Sequence, residues 1–413
     1  MEKNIRNVKV SLRPNKGFTI IGDAQQQLTF SQPEEQMAFF DIQVTEGASI
    51  TEIEVVANGH GKKASYKVPI NILNPNPLTT EVTSIVLEPN STQEVALAAF
   101  GVTGSNSTTV ELSSLPPVNF ESRLQYLIRY PHGCIEQTTS AAFPQLYLGD
   151  IFSLTTDKKQ RIQHHIEAAI KKMKRFMQPS GAMSYWPGYT SANDWGTTYA
   201  GHFLLEANTM GYVLPIGFKS NWIRYQQQQS KQWRKGHNDL AQAYRLYTLA
   251  LAGNPDMASM NRLRLSKNLS NDAKLRLATA YGLVGQQKAA NSLIQGANID
   301  CSQKKNNYYT YGSVQRNRAM ALETLITMDK KKEAQKVAVN LAKALSSKQW
   351  MSTQTTAYAL LAMAKYAKYV GGKGIQAQYT LNGTSYTVAT EKTLASSEAL
   401  PIKKENTLVF KNN

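Results

Sequence analysis

A cysteine and a glutamine three residues apart offer the clearest chemistry in this 413-residue chain. Cys134 and Gln137 follow a Pro/Gly turn at the beginning of a helix-like run, in the segment YPHGCIEQTTS at residues 130–140. Side chains at positions i and i+3 are neighbours on one face of a helix, so the thiol can reach the side-chain amide. If sulfur displaces ammonia there, the product is an internal thioester, which stores an acyl group for one reaction with a nucleophile. The plain alternative is a buried cysteine beside a solvated glutamine, with no bond between them.

The whole segment is more specific than a bare Cys-x-x-Gln pair. It resembles the thioester motif of the α2-macroglobulin and complement family, where Cys-Gly-Glu-Gln is usual and bacterial members carry a larger residue in place of that glycine. Ile135 fits the bacterial version. The resemblance implies that Cys134 and Gln137 are the bond partners and that Glu136 belongs to the motif. It also implies a protease inhibitor that acts as a covalent trap, and not an enzyme.

The residues around the motif favour both formation and later opening of a thioester. Gly133 lets the backbone turn tightly before the helix. A helix N-terminus stabilises negative charge, so it favours a thiolate at Cys134 and makes the sulfur a better leaving group when a lysine amine or a hydroxyl attacks. The expected product is an amide or an ester between Gln137 and the target.

Four aromatic residues that follow the motif are candidates for excluding water from the bond, because a thioester survives only in a dry site. They are Tyr185, Trp186, Trp195 and Tyr199. The alternative is that these four residues are simply the core of the helical region.

In some family members a histidine, a little over a hundred residues after the cysteine, passes the acyl group to hydroxyls. In this sequence the helix that begins at Asn238 offers Tyr244 at that place, and His237 lies close by. The resemblance therefore implies slower transfer with a preference for amines.

The chain divides into β, helical and β parts. Residues 1–75 alternate apolar and polar positions as half-buried strands do, and residues 76–117 form a second β segment. Residues 118–371 show helical spacing, and residues 372–413 return to strands. Because a few C-terminal strands cannot form a domain alone, we expect them to complete the sheet begun in the second segment. The helical part is then an insertion within a β domain.

A loose repeat of about 38 residues runs through the helical part. Tyr199, Tyr244, Tyr281 and Tyr358 each lie near the beginning of a helix rich in leucine and alanine, and the last interval is about twice the unit. That period suits paired helices stacked around an axis, with these tyrosines at packing positions. The family has the same layout: an α/α toroid, the thioester domain, inserted in a CUB-like β-sandwich and preceded by a macroglobulin-type β domain. The resemblance implies that the first domain lacks its opening strands and that the CUB-like part stops early.

Composition argues against several classes of protein. No run of about 18 apolar residues reads as a membrane span, and the N-terminus reads as a strand and not as a signal peptide. The net charge of +17 raises the question of nucleic acid, but the densest basic clusters, residues 171–175 and 330–332, have the spacing of solvated helix faces and accompany no nucleic-acid motif. Cys134 and Cys301 form no disulfide framework. Because His132 and Cys134 lack a second cluster of ligands, neither a metal nor a cofactor is expected.

The resemblance also implies partners and a location. The partners are target proteases or other proteins captured through lysine amines, together with flanking domains of a longer chain. The full-length protein is expected outside the cytoplasm, in the periplasm, and held at the inner membrane only through a lipid anchor. No bait segment is recognisable, so this chain alone is not expected to trap proteases.

Two enzyme hypotheses stay open. Toroids of paired helices also build glycosidases, which need two placed carboxylates, and Asp194 and Glu206 are nearby candidates. A cysteine-nucleophile enzyme would pair Cys134 with a histidine such as His202 or His237. Turnover separates these hypotheses, because an enzyme acts repeatedly and a thioester reacts once.

Overall fold

The computed structural model describes residues 6–45, 50–71, 79–101, 105–115, 123, 133–234, 238–301, 308–347, 349–371, 374–397 and 399–412. The predicted domain boundaries after residues 75 and 117 lie outside the described residues, and the boundary after residue 371 borders such a gap. These boundaries stay predictions.

The N-terminal region is entirely β within the described residues. Its strands are β1 Asn7–Arg13, β2 Phe18–Ile21, β3 Gln25–Thr29, β4 Asp41–Val44, β5 Ile50–Gly59 and β6 Lys62–Asn71. They form an antiparallel sheet in the order β3-β1-β5-β6 and a separate β2-β4 pair. Among its residues whose burial is described, Leu12, Phe18 and Val56 are the buried apolar ones. Alternation of apolar and polar positions is strongest in β1, as its half-buried pattern requires.

The helical region follows. Its helices are α1 Ile135–Ala142, α2 Leu148–Ile151, α3 Thr156–Met173, α4 Asp194–Thr209, α5 Phe218–Gln232, α6 Asp239–Leu251, α7 Met257–Arg264, α8 Asn271–Leu283, α9 Gln287–Gln295, α10 Val314–Thr327, α11 Lys331–Ser346 and α12 Thr353–Val370. Two 3-10 turns, Phe143–Tyr147 and Tyr308–Thr310, join this set. Every helix among the described residues is too short or too polar to span a bilayer.

Among the described residues, six helices form a closed inner ring. Helix α1 packs against α4, α4 against α6, α6 against α8, α8 against α10, α10 against α12, and α12 returns to α1. The helices α3, α5, α7, α9 and α11 pack outside this ring. An inner helix is covered on all sides, which is why α12 buries apolar residues all around its circumference. The predicted α/α toroid is confirmed.

The tyrosine repeat identifies the ring helices. Tyr199, Tyr244, Tyr281 and Tyr358 lie on α4, α6, α8 and α12, and each is at most 1% exposed. Helix α10 fills the double interval in the repeat, and Ala319 is one of its fully buried residues. The period therefore marks one inner helix and one outer helix per unit.

Strands on either side of the helical region pair with each other. Those before it are β7 Ser91–Ala98, β8 Ser107–Thr108 and β9 Glu111–Ser113; those after it are β10 Ile375–Leu381, β11 Thr384–Thr390, β12 Leu394–Ser396, β13 Leu400–Pro401 and β14 Glu405–Asn412. The pairs β14-β7, β12-β9 and β13-β8 are all antiparallel. Tyr379 and Phe410 lie in the core of this β domain. The prediction that the toroid is inserted in a β domain is confirmed.

Candidate functional site

Cys134 and Gln137 meet at the N-terminus of α1. Cys134 is the residue immediately before the helix, with an extended backbone of φ −71° and ψ 176°. Gln137 Oε1 accepts a hydrogen bond from the Cys134 backbone N–H, with 3.3 Å between nitrogen and oxygen. In return, the Cys134 side chain faces the backbone N–H of Gln137, which makes a reciprocal capping box. Cys134 is a free thiol and 2% exposed, whereas Gln137 is exposed.

Gly133 provides the space in which the Gln137 carboxamide folds back. Its φ of +95° lies in the left-handed region that favours glycine. A Cβ atom at this position would lie 2.0 Å from Gln137 Oε1 and 3.0 Å from the carboxamide carbon. The residue before the cysteine must therefore be glycine for two independent reasons, its backbone angle and this close approach.

Glu136 links the two ends of the ring. The residue is 5% exposed, and its carboxylate accepts a hydrogen bond from Ser140 Oγ at 2.7 Å. Thr353 Oγ1, on the first residue of α12, donates to both carboxylate oxygens at 3.0 and 3.1 Å. Burial raises the pKa of Glu136 above its ordinary value, although both hydroxyls act in the opposite direction. The motif glutamate thus joins α1 to α12, a role that sequence reasoning did not assign to it.

Tyr185 contacts the Cys134 side chain, and Trp186 packs against Tyr185. The Tyr185 carbonyl accepts a hydrogen bond from the backbone N–H of Ile135 at 3.1 Å, which fixes the loop against α1. The Tyr185 hydroxyl is hydrogen-bonded with Cys134 and Tyr311, and these contacts raise the pKa of Tyr185, so its hydroxyl keeps its proton. Trp186 packs edge-on against Tyr185, with ring centroids 5.5 Å apart, and is 42% exposed.

Trp195 and Tyr199 lie in the interior of the ring. Trp195 packs against Tyr244 with centroids 5.1 Å apart, and Tyr199 stacks on Tyr358 with centroids 5.3 Å apart. The Tyr199 hydroxyl lies 3.2 Å from Ser140 Oγ, which is its connection to α1. Both residues therefore belong to the packing of the toroid, which was the alternative interpretation of their sequence pattern.

Tyr244 occupies the centre of the ring. It is fully buried, and its hydroxyl is hydrogen-bonded with His202 Nδ1 at 2.9 Å and with the Tyr358 hydroxyl. Burial raises the pKa of Tyr244, which keeps the phenol neutral. These contacts do not bring Tyr244 to Cys134, so its correspondence to a transfer histidine stays a prediction. His237 lies outside the described residues.

A charged cluster stabilises the interior near Tyr244. Lys365 Nζ lies 2.5 Å from Glu206 and 3.0 Å from Glu323, and Arg276 lies 2.9 Å from Glu323. Potential ligand atoms of His202, Glu206 and Glu323 all lie within 4.8 Å of one another, as in a metal site. The ammonium group of Lys365 already bonds both carboxylates, so it balances the negative charge that a cation would require. His132, the other residue weighed as a metal ligand, lies outside the described residues.

The geometry does not support the glycosidase pair or a pairing of Cys134 with His202, and a pairing with His237 is not tested because His237 lies outside the described residues. Asp194 and Glu206 lie at opposite ends of α4, about 18 Å apart along the helix axis, whereas paired glycosidase carboxylates are separated by roughly 5–9.5 Å. Each is instead ion-paired, Asp194 with Arg245 and Glu206 with Lys365. His202 is held among Tyr244, Tyr247 and Glu206 inside the ring and makes no hydrogen bond with Cys134.

Besides the partners of Glu136, the site contains Lys172 and Tyr311, which were not found from the sequence. Lys172 Nζ donates a hydrogen bond to the Gly133 carbonyl at 3.1 Å, although the sequence places it in a basic cluster with the spacing of a solvated face. Tyr311, which contacts Tyr185, has a left-handed φ of 51°. The aromatic string YYTYG at residues 308–312 is a signal that could have drawn attention to Tyr311. Nothing in the local sequence distinguishes Lys172 from its exposed neighbour Lys171.

Comparison with known proteins identifies consistent relatives. Residues 107–244 match the family described as the A-macroglobulin TED domain. An alpha-2-macroglobulin of Xylella fastidiosa is 25% identical over 368 residues, which cover 82% of this chain and 22% of that protein. The chain thus spans about a fifth of the length of this curated relative.

Solved structures show the same fold. Native Escherichia coli alpha-2-macroglobulin, solved from domain MG7 to the C-terminus, matches with a TM-score of 0.64 and 17% identity, over 98% of this chain and 68% of that one. Salmonella alpha-2-macroglobulin reacted with methylamine matches with a TM-score of 0.62 and 18% identity, over 98% of this chain and 29% of that one.

Proposed function

Since this chain belongs to the bacterial alpha-2-macroglobulin-like family, we propose that Cys134 and Gln137 form an internal thioester that captures target proteins covalently. The observation that carries the proposal is the position of the Gln137 carboxamide. It folds back over Gly133 and accepts from the Cys134 N–H, at the helix N-terminus where the thiol also lies.

The chemistry has two steps at one carbon atom. In the first, Cys134 Sγ attacks the Gln137 carboxamide carbon, a C–S bond forms, and ammonia leaves with the thiol proton. In the second, a target amine attacks the same carbon, a C–N bond forms, and the C–S bond breaks. The amine proton passes to the departing sulfur, which leaves an amide and a free thiol. A hydroxyl gives an ester in the same way.

Water must be kept from the bond between these two steps. Cys134 is almost fully buried, Tyr185 contacts its side chain, and Trp186 packs against Tyr185. Exclusion of water slows hydrolysis of the stored acyl group. Tyr185 and Trp186 are therefore the shielding residues in this proposal, and Trp195 and Tyr199, which pack inside the ring, have no part in it.

The proposed targets are proteases, captured through their lysine amines. An Escherichia coli alpha-2-macroglobulin has been solved in a trypsin-activated form, and the Salmonella protein has been solved after reaction with methylamine. We further propose that the full-length protein acts outside the cytoplasm, in the periplasm, on a lipid anchor, and that further domains of that protein present the target to this one.

The test is intact mass of freshly purified protein, with and without methylamine, followed by peptide mapping of the segment around Gln137. We expect the fresh protein to be lighter than its sequence by one ammonia. Methylamine should then add once, at Gln137, with release of the Cys134 thiol. Cys134→Ala should abolish both changes, and Cys301→Ala, which removes the other buried thiol, should alter neither. A wild-type protein of unmodified mass that takes up no methylamine would contradict the proposal.

A further inference from the structure

We propose that the Gly133–Cys134 peptide group stabilises the oxyanion formed at Gln137, and that Lys172 is the positioning residue that polarises this peptide. The inference rests on the proposed thioester chemistry and names the groups that assist it. It concerns a lysine whose sequence context indicates only a solvated helix face.

The first contact is on the N–H side of the peptide. The Cys134 N–H donates to Gln137 Oε1 at 3.3 Å. Attack on the Gln137 carboxamide carbon, by sulfur or by an amine, moves the carbonyl π electrons onto this same Oε1. A backbone N–H already directed at that oxygen can stabilise its negative charge without reorganisation.

The second contact is on the carbonyl side of the same peptide. Lys172 Nζ, on α3, donates to the Gly133 oxygen at 3.1 Å, and Thr138 Oγ1 lies 3.5 Å from that oxygen. The Gly133 C=O and the Cys134 N–H are parts of one conjugated amide. A cation on the oxygen draws electron density from the nitrogen, so the N–H becomes a stronger donor, as hydrogen bonds in a chain strengthen one another.

The ammonium group of Lys172 is partly shielded from solvent. The side chain is half-buried, whereas Lys171 beside it is exposed. Burial lowers the pKa of Lys172, the Arg175 guanidinium lowers it further, and Cys134 acts in the opposite direction. A half-buried ammonium is screened less by water than a surface one, so its field reaches the peptide.

The proposed oxyanion forms when a target amine opens the thioester. An amine nitrogen bonds to the Gln137 carbonyl carbon, and the π electrons of that carbonyl pass to Oε1, held by the Cys134 N–H. Return of those electrons expels Cys134 as a thiolate, which takes the proton from the new ammonium. In this proposal Lys172 donates no proton to the product and acts through its hydrogen bond to the Gly133 oxygen.

The decisive variants are Lys172→Met and Lys172→Arg, with Lys171→Met as the matched control on the next residue of the same helix. The measured quantity is the first-order rate of methylamine uptake by the full chain, together with the fraction that has lost ammonia. Loss of a direct oxyanion donor slows such reactions by about 10²–10³. Lys172 acts on the oxyanion only through the peptide group, so we expect Lys172→Met to react about tenfold more slowly than the wild type. Lys172→Arg should restore most of the rate, and Lys171→Met should react as the wild type does. An unchanged rate for Lys172→Met would overturn the inference, as would an arginine variant as slow as the methionine variant.

A pH profile tests the charge itself, including the case in which Lys172→Met fails to fold. With hydroxylamine, a nucleophile that is unprotonated at neutral pH, the wild-type rate should fall as pH rises through the lowered pKa of Lys172. Lys172→Arg should show no such fall, because guanidinium stays charged. The same fall in both proteins would overturn the inference and leave the thioester intact. A wild type without ammonia loss would overturn the thioester and the inference together.

Discussion

The Glu136 carboxylate and the Thr353 hydroxyl are 217 residues apart in the chain and joined by hydrogen bonds of 3.0 and 3.1 Å. They connect the first turn of α1 to the first turn of α12, where the six-helix ring closes. Cys134 precedes that first turn of α1 and Gln137 lies on it, so this contact anchors the turn that carries both residues to the closing helix of the ring.

Thr353→Val should weaken that closure. The substitution keeps the side-chain shape, removes both hydrogen bonds to the buried Glu136 carboxylate, and leaves its oxygens with Ser140 alone. We expect a loss of about 1–3 kcal/mol in the free energy of unfolding, the usual effect of an unsatisfied buried polar group. Denaturant unfolding provides the measurement. Thr156→Val changes the exposed first residue of α3 and should have almost no effect, so equal losses in both variants would refute the prediction.

Glu136 should make stability depend on pH. Burial raises its pKa in the folded state above 4.5, so above that pH the native protein holds a proton that the unfolded chain has released. Stability from this group is therefore present below pH 4.5 and is lost as pH rises through the folded pKa. Glu136→Gln lacks this titration. Its free energy of unfolding should therefore increase relative to that of the wild type as pH is raised from acid to neutral. Denaturant unfolding at several pH values provides the measurement, and a pH-independent difference for Glu136→Gln would count against the prediction.

Gly133→Ala should prevent thioester formation. The left-handed backbone costs a non-glycine residue about 1–2 kcal/mol, and the new Cβ would lie 2.0 Å from Gln137 Oε1. Gly188→Ala has a similar φ, +81°, but no atom within 4 Å of the new Cβ. Both variants should lose stability from the backbone, and only Gly133→Ala should lose methylamine uptake. Normal uptake by Gly133→Ala would show that the carboxamide does not need this space.

Lys365→Met should destabilise the ring centre severely. Burial alone would raise the pKa of Glu323, but the Lys365 and Arg276 cations lower it to about 2, so the carboxylate stays ionised. Removal of the ammonium leaves buried carboxylates without their main partner, which costs about 3–5 kcal/mol. The control is Lys368→Met on the same helix, whose ion pair with Asp150 is exposed and contributes about 0–1 kcal/mol. The comparison is made by denaturant unfolding, and a similar loss in both variants would contradict it.

Local spacing was enough to predict that Cys134 and Gln137 are neighbours, and segment patterns predicted the layout of the chain; the bond between the two residues stays a prediction. Cys134 and Gln137 are at positions whose neighbourhood follows from the geometry of one helical turn, so no distant contact is needed to bring them together. The tyrosine repeat likewise predicted the ring, because one residue type returns at the same packing position in each helix pair. The order of β, helical and β segments predicted the insertion, which the β7-β14 pairing confirms.

The rest of the site was decided by tertiary structure alone. Lys171 and Lys172 are adjacent lysines that the local sequence does not distinguish. Only the packing of α3 beside α1 directs Lys172 to the Gly133 carbonyl. Trp195 and Tyr199 follow the motif as closely as Tyr185 does, yet the ring places them in its interior. Contacts such as Glu136 with Thr353 join segments that adjoin only after all six helices close. Helical periodicity indicates which side of a helix is buried, but which residues pack against that side depends on how the whole chain folds.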